Sequence, residues 1–457
     1  MEKTISRQMA EFAVDLKYEN LPKEVVDQTK RFLYDSIGCA FGSMNTKDVN
    51  AIRDIYTEIG GKEQATVFGF GDRLPAVNAS LINSLMIRAL DFNDIYWKED
   101  PSHPSDIIPA ALSVGEAEGA SMKDVIVGIA LAYEFEQRLC EFAKPGVRER
   151  KWHHATLTQF VSPVAAGKML GLSVDEMVNA IGISGSHNHT IGCPTAGTLT
   201  MMKNTVDPMA VQAGVFAAYM AQKGYTGTEA VFEGKEGFMD VFGPEWDLPI
   251  MTEGLGDSYR IMTCSMKAFP TEALTHTHIT ATLQTIIDND IRPDDIEEVV
   301  ITTIARACDI LFDPHKYEAT SRETADHSLP YCIARAILDR KITTQTFAQE
   351  KIDDPKLKDI IHKIRGEASE EFEKLFPEKQ PSRVIIKTND GKEYTSYLEY
   401  PKGDPRQPMT VEDLENKFNS LGVDRFPREG LEELREIIFN CEDMSARDFM
   451  GKMVASK

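Results

Sequence analysis

Apolar residues recur at the spacing of an α-helix from Ile5 to Ile261, and this periodicity limits the fold more than any other feature of the chain. Each segment of this kind predicts a helix that buries one face. The clearest segments are Val25 to Gly42, Ser80 to Ala89, Pro109 to Glu118, Lys123 to Phe142, Ser173 to Ser184 and Asp207 to Lys223. The stretches SPVAAGKMLGL and MAVQAGVFAAYMA are apolar nearly all round, which predicts helices inside a bundle.

The pattern changes after Cys264, where strand signals join the helical ones. The β-branched run IEEVVITTI predicts a strand, and RVIIKTNDGKEYTSYLEY predicts a hairpin that turns at Asn389-Asp390-Gly391. Further helices are predicted over Glu272 to Asp288, Thr324 to Leu338, Thr344 to Ile364, and in the tail from Val411.

These patterns predict a mainly α fold with two domains. Residues 1–264 and 403–457 form a large all-α helical domain, and residues 265–402 form a smaller α+β lid domain. A chain of 457 residues is long enough for this division. The cleft between two domains is the default place for a small-molecule site.

The charge balance excludes two classes of partner. Lys and Arg total 50 against 72 Asp and Glu, a formal net charge of -22. Such a chain repels nucleic acid phosphates and anionic membranes, so neither is expected as a partner. An anionic metabolite remains possible where a few cations gather in one cleft, which makes the positions of Lys, Arg and His informative.

Cysteine usage and the N-terminus predict a cytoplasmic protein. The seven cysteines are scattered and form no C-x-x-C motif, so we expect no disulfides, structural zinc or iron-sulfur cluster. The first residues, MEKTISRQMAEFAVDLKYENLP, are amphipathic and charged, without the apolar run of a signal peptide or membrane span.

Histidines occur in close pairs at 153 and 154, 187 and 189, and 276 and 278, so a metal site must be considered. No H-E-x-x-H motif accompanies them, and the acidic stretch MIRALDFNDIYWKEDPSHPSDIIPAAL lacks the spacing of a calcium loop. We therefore predict no metal. Four charged residues of this stretch are interpreted as solvated loop residues, namely Asp94, Lys98, Glu99 and Asp100. For Asp91 and His103, the local pattern does not decide between a solvated residue and a site residue.

Three other places carry candidate site residues. Lys203 leads into an apolar helix, where it either extends to solvent or faces an anion. Lys267 lies where the two patterns meet, although a surface lysine is the commoner outcome. The run RETADHSLPY, from Arg322 to Tyr331, combines acids, Arg, His, Ser and Tyr, and helix capping explains only part of that set.

At these residues the sequence resembles the MmgE/PrpD family. The resemblance rests on ALDFND, HPSD, WHHAT before AAGKMLGL, MMKN, TGTEAVFEGKEGF, KAFPTE and RETADHSLPY, which follow one another in family order. It implies a large helical domain, a smaller α+β lid, a homodimer, and a cleft site for a small polycarboxylate substrate without a metal or another cofactor.

The resemblance also implies the site residues. Position by position, it assigns catalytic roles to Asp91, His103, His154, Lys203 and Tyr331. Substrate binding is expected of His153 and Lys267, which match family positions, of Arg322 as a clamp for a substrate carboxylate, and of Glu272. Either His153 or His154 matches the family's middle histidine, and His154 fits the dehydratase-like members better.

Two departures choose between branches of the family. The cis-aconitate decarboxylases carry a threonine where this chain has Ile95, and a histidine where it has Glu272. Both differences favour a metal-independent dehydratase that converts 2-methylcitrate to 2-methyl-aconitate. The alternatives are a cis-aconitate decarboxylase, an iminodisuccinate epimerase, or a non-catalytic member of the family.

Overall fold

The computed structural model describes residues 3–196 and 199–455, and its contacts divide them into two compact units. The larger unit contains residues 3–196, 201–264 and 410–455, and the smaller unit contains residues 199–200 and 265–409. The prediction of a mainly α fold with a smaller α+β part is confirmed. The domain boundaries at 264 and 402 stay a proposal.

The larger unit is built almost entirely from helices. Its helices before residue 264 are Ile5–Asp15 (α1), Lys23–Gly42 (α2), Lys47–Ile59 (α3), Ala76–Arg88 (α4), Ile108–Glu118 (α5), Met122–Phe142 (α6), Ala155–Met169 (α7), Val174–Ser184 (α8), Met202–Gln222 (α9), Phe238–Phe242 (α10) and Leu248–Thr252 (α11). Its short strands are Ala65–Thr66 (β1), Arg73–Leu74 (β2), Asp94–Trp97 (β3) and Pro101–Ser102 (β4).

Helices α7 and α9 form the centre of this unit, as their apolar sequences predict, although α9 exposes Met202, Met209 and Phe216 on one face. Helix α9 packs on α4, α7 and α8. A Cβ atom on Gly214 of α9 would collide with Ser162 Oγ of α7, so the two helices approach at a distance that only glycine permits. This approach fixes the two helices that carry most of the site described below.

The smaller unit combines a mixed sheet with short helices. Its helices are His276–Asp288 (α12), Ala305–Leu311 (α13), Arg322–Ala325 (α14), Leu329–Asp339 (α15), Gln349–Ile352 (α16), Lys356–Ile361 (α17) and Glu370–Glu373 (α18). Its strands are Ser265–Met266 (β5), Ile296–Thr303 (β6), Ile364–Ala368 (β7), Ser382–Thr388 (β8) and Glu393–Leu398 (β9).

Four of these strands form a sheet in the order β7-β6-β8-β9, in which only β6 and β7 run parallel. The predicted strand and hairpin are therefore correct. Gly391 adopts a φ of 84° in the hairpin turn, a conformation that favours glycine. Alternate residues of β8 are buried, and α12 packs against β8 and β9.

Three predicted helices differ from the observed ones. The helix predicted from Glu272 begins at His276. The helix predicted over 324–338 is interrupted after Ala325, because Ser328 starts a new helix by accepting the main-chain N–H of Tyr331. The segment 344–364 forms two short helices with Pro355 between them.

The tail returns to the larger unit as Val411–Gly422 (α19), Arg428–Phe439 (α20) and Ala446–Lys452 (α21). Helices α19 and α20 pack on α2, where the rings of Tyr34 and Phe418 stack with centroids 4.1 Å apart. In the described part of the chain, no helix is both long enough and apolar enough to cross a membrane.

Candidate active site

His103 follows the hairpin of β3 and β4, and the fold determines which of its ring nitrogens is basic. Its Nδ1 lies 2.6 Å from the main-chain carbonyl oxygen of Asp94. A carbonyl oxygen only accepts hydrogen bonds, so Nδ1 carries the ring proton. The basic lone pair of the neutral ring is therefore on Nε2. The residue is buried, with 7% of its surface exposed.

His153 and His154 lie just before α7, and their rings are in contact, with centroids 4.0 Å apart and planes tilted by 34°. Nδ1 of His153 accepts the main-chain N–H of Ala155 at 3.0 Å, so the proton of the neutral His153 ring is on Nε2. Burial lowers the pKa of His153 well below its ordinary value. The ring centroid of His154 lies 5.6 Å from that of His103, so the three histidines form one buried group.

Helix α9 contributes Lys203 and Asp207, which lie one helical turn apart. The helix begins at Met202, five residues before the predicted start at Asp207, because Pro208 lies in its second turn and not at its N-terminus. Both side chains are 2% exposed. Lys203 Nζ lies 3.2 Å from Asp91 Oδ2, and Asp207 Oδ1 lies 3.4 Å from His154 Nε2.

Asp91 links Lys203 to a second cation, Arg88 at the end of α4. Its Oδ1 accepts a hydrogen bond from Arg88 Nη1, and its Oδ2 faces Lys203. Its φ of 50° lies in the left-handed region, which costs free energy for any residue with a Cβ. A strained conformation that holds a carboxylate between two buried cations is typical of functional sites.

Two of the four charges that we interpreted as solvated are buried, so that interpretation was wrong for Asp94 and Asp100. Glu99 is exposed and Lys98 is half-buried. The Asp94 carboxylate accepts hydrogen bonds from the main-chain N–H and the hydroxyl of Ser105, which join β3 to the turn after His103. Burial raises the pKa of Asp94 to about 6.

Asp100 binds a different loop. Its carboxylate accepts the main-chain N–H groups of Val147 and Arg148 at 2.7 and 2.9 Å. Burial raises the pKa of Asp100 to about 6. The local sequence gives no sign of this role, because both donors lie more than forty residues away along the chain.

Sequence reasoning missed four charged residues of this region. Arg88, Asp106, Glu136 and Asp207 are at most 3% exposed and interact electrostatically with one another. Burial raises the pKa of Glu136 to about 8 and that of Asp106 well above its ordinary value. The spacing of two of these residues could have indicated them. Arg88 precedes Asp91 by three residues and Asp207 follows Lys203 by four, and residues at these spacings lie on the same face of a helix.

Among the described residues, His153, His154 and Asp207 form the group whose ligand atoms could meet at one metal ion, since these atoms lie within 4.8 Å of one another. The tautomer of His153 does not fit that use. Its Nδ1 lone pair accepts the Ala155 N–H, so its Nε2 carries a proton. Metal-bound histidines usually show the reverse arrangement, in which the second nitrogen donates. As the ring stands, His153 offers no free lone pair to a metal ion.

The smaller unit holds the other four predicted residues. Lys267, 2% exposed, donates from Nζ to the main-chain oxygen of Thr271 at 3.1 Å. Glu272 accepts the main-chain N–H of Leu274 at 2.7 Å and so caps the short helical turn before α12. Arg322 is half-buried in the first turn of α14. The predicted roles of these residues in substrate binding stay predictions.

Tyr331 lies inside the smaller unit, with no surface exposed. Its hydroxyl donates to the main-chain oxygen of Thr346 at 2.7 Å, and burial raises the pKa of the phenol. The hydroxyl proton of Tyr331 is therefore already engaged in a hydrogen bond within the smaller unit. The prediction that Tyr331 gives a proton to substrate stays a prediction.

The larger unit therefore brings together five of the predicted residues, namely Asp91, His103, His153, His154 and Lys203. Comparison with known proteins agrees with the motifs. The MmgE/PrpD N-terminal domain matches residues 7–250, and the MmgE/PrpD C-terminal domain matches residues 269–443. The chain belongs to the MmgE/PrpD family.

Individual relatives are enzymes of two kinds. The chain is 26% identical to the cis-aconitate decarboxylase of Homo sapiens over 466 residues, which are 97% of this chain and 93% of that protein. The Aspergillus terreus decarboxylase is 23% identical over 96% of this chain and 94% of its own length. The 2-methylcitrate dehydratase of Salmonella typhimurium is 24% identical over 96% and 95%. Identity alone does not choose between decarboxylation and dehydration.

Proposed function

We propose that the protein is a metal-independent dehydratase of a citrate-like tricarboxylate, with 2-methylcitrate as substrate and 2-methyl-aconitate as product. The observation that carries the proposal is the buried contact of His103 with His154, with buried Lys203 one turn of α9 from the aspartate that faces His154; these residues supply a base, an acid and a cation. Dehydration needs all three: a base for the C–H proton, an acid for the leaving hydroxyl, and a cation for the adjacent carboxylate.

His103 is the proposed base. Its Nδ1–H is bound to the Asp94 carbonyl, so its Nε2 accepts the proton from the carbon next to a substrate carboxylate. As the C–H bond breaks, negative charge grows on that carboxylate. Lys203 is the proposed partner of this charge. Because Lys203 lies in the first turn of α9, the positive end of the helix dipole also stabilises the charged carboxylate.

His154 is the proposed acid. It gives a proton to the hydroxyl as the C–O bond breaks, so the group leaves as water and the double bond forms. Buried Asp207 stabilises the protonated imidazole before the transfer. The Tyr331 hydroxyl is the weaker candidate for this step because it already donates to Thr346.

The alternatives predict different products. The side chain at position 95 supports dehydration, because Ile95 offers no hydroxyl where the decarboxylases have threonine. Decarboxylation of cis-aconitate is supported by the similarity of the chain to cis-aconitate decarboxylases. Epimerisation of iminodisuccinate needs the same kind of proton exchange. The convergence of five predicted residues argues against a non-catalytic protein.

A substrate panel tests the proposal. The protein is incubated with citrate, 2-methylcitrate, cis-aconitate and iminodisuccinate, and products are followed by mass and by enoate absorbance. Loss of water from 2-methylcitrate is expected. Carbon dioxide from cis-aconitate, or altered stereochemistry of iminodisuccinate at unchanged mass, would replace the proposed activity with the corresponding alternative.

We also propose that the protein is a cytoplasmic homodimer. The support for a dimer is the exposed face of α9, where Met202, Met209 and Phe216 recur every seven residues and are 42–54% exposed. These residues line an open cavity of about 620 Å³. An exposed apolar stripe of this kind is typical of a helix that packs on a partner. The support for a cytoplasmic location is that all seven cysteines are free.

A further inference from the structure

We propose that Asp207 is the positioning residue of His154: its carboxylate holds a proton on Nε2 of the imidazole and leaves Nδ1 to exchange protons with substrate. This inference rests on the proposed function, because it assigns the atom through which His154 acts. Asp207 belongs to none of the motifs that carry the family resemblance.

The geometry around His154 supports this role. Asp207 Oδ1 lies 3.4 Å from His154 Nε2, a buried nitrogen that has no other polar partner within the described part of the chain. The His154 side chain nevertheless keeps 7% exposure, so its accessible part lies elsewhere on the ring. An anionic oxygen beside Nε2 favours the tautomer with the proton on that nitrogen, as in the carboxylate-histidine pairs of hydrolases.

Asp207 carries its charge despite burial. Burial alone would raise the pKa of its carboxyl, but interactions with His154, His153 and Arg88 hold the pKa below its ordinary value. The other carboxyls that face it, Asp106 and Glu136, have pKa values raised by burial. Asp207 therefore places an anionic oxygen beside His154.

Structural stability does not explain this aspartate. Its Oδ2 is buried without a hydrogen-bond partner among the described residues, and aspartate is a poor helix former. A buried charge with an incomplete set of partners costs free energy. Residues that break such a rule without a compensating structural gain are expected at functional sites.

The first experiment reads the tautomer directly and needs no activity. Protein labelled with ¹⁵N at the histidine rings is compared by two-dimensional NMR with Asp207→Asn, and the His154 signals are identified from their loss in His154→Gln. The tautomer is read at a pH where the imidazole is neutral, and there we expect the wild type to show protonated Nε2 and unprotonated Nδ1. In Asp207→Asn we expect a mixture of tautomers or the reverse one. An unchanged tautomer would overturn the inference.

The second experiment compares activities, with Glu136→Gln as the matched control. Glu136 is equally buried in the same group, but its raised pKa keeps it neutral at pH 7, so glutamine preserves its charge. We expect Asp207→Asn to lower kcat by about 10²- to 10⁴-fold, the contribution of general acid–base catalysis. Glu136→Gln should retain kcat within about threefold. Equal losses in both variants would indicate a structural effect and overturn the inference.

A third variant covers a folding failure. Asp207→Glu keeps the charge and moves it by one methylene, so it should keep the wild-type tautomer and recover part of the lost kcat. If Asp207→Asn does not fold, the His154 tautomer is measured in Asp207→Glu instead. A changed tautomer in that variant contradicts the inference. A wild-type protein that dehydrates no substrate, yet shows the expected tautomer, would reject the proposed function and leave the role of Asp207 intact.

Discussion

Lys203 and Asp207 lie one turn apart on α9 and carry opposite charges, yet each pairs with a different residue. Lys203 pairs with Asp91, whereas Asp207 faces His154. Neighbouring Glu136 accepts a hydrogen bond from Thr158 and has a pKa raised to about 8. At the scale of single residues, the cationic partners beside a buried acid therefore determine whether it carries charge near the histidines.

The proposed base gives the first prediction. His103→Gln removes the basic nitrogen and should lower kcat for dehydration by about 10²- to 10⁴-fold, with the fold preserved. The matched control is His278→Gln, since His278 is also buried but binds Ser382 and Thr303 within the smaller unit. Steady-state kinetics of both variants check this. Equal activity of His103→Gln and the wild type would reject His103 as the base.

Glu136 gives a prediction about stability and pH. Its carboxyl has a pKa of about 8 in the folded protein and about 4.5 when unfolded, so the folded state holds the proton more strongly. Stability from this proton is present below the unfolded pKa and is lost as pH rises through the folded pKa.

Glu136→Gln should remove this dependence. Relative to the variant, the wild type should lose roughly 3 kcal/mol of unfolding free energy between pH 5 and pH 8, at about 1.4 kcal/mol per pKa unit. Urea denaturation of both proteins at the two pH values measures this difference. Parallel pH dependences would show that Glu136 ionises in both states alike.

Metal removal tests the tautomer of His153. Because Nε2 of this ring carries a proton, the cluster with His154 and Asp207 should not need a cation. Activity after extensive dialysis against a chelator should therefore stay within about twofold of the untreated protein. A loss that zinc or another divalent ion restores would contradict the assignment.

At the scale of elements, the site depends on how closely α7 and α9 approach. His154 precedes α7, while Lys203 and Asp207 lie on α9, so their distances follow from the contact of Gly214 with Ser162. Glycine is unfavourable inside a helix by roughly 0.5–1 kcal/mol, and here it makes room for the neighbouring helix.

Gly214→Ala should therefore destabilise the protein by about 1–3 kcal/mol through overpacking, and should lower activity as the helices move apart. Gly451→Ala is the control, because a Cβ there meets no atom within 4 Å in α21. That variant should be neutral or more stable by up to about 1 kcal/mol. Thermal melting and kcat measure both effects, and equal melting temperatures would contradict the packing argument.

At the scale of the whole molecule, the apolar face of α9 is a surface that one chain leaves uncovered. If a second copy covers it, light scattering after size exclusion should give twice the chain mass of 51.1 kDa. The double variant Met209→Glu and Phe216→Glu places charges on this face and should yield monomers. A wild-type monomer at micromolar concentration would reject the homodimer.

Helix α9 shows what the sequence by itself determined and which features it did not determine. Its apolar run predicted a helix inside the bundle; the helix is present, but it exposes Met202, Met209 and Phe216 on one face. The strand and hairpin of the smaller unit were predicted correctly, because periodicity and turn residues act over a few positions. The resemblance supplied His103, His154 and Lys203 as candidates. The start of α9 was predicted late, since Pro208 resembles a helix start.

Only the tertiary structure decided the state of each candidate. The charge of Asp207, the burial of Asp94 and Asp100, and the tautomers of His103 and His153 all depend on partners that the local pattern does not indicate. Desolvation and hydrogen bonding act through space, so they become readable once the helices are packed. Local periodicity determined the elements, and packing determined the chemistry.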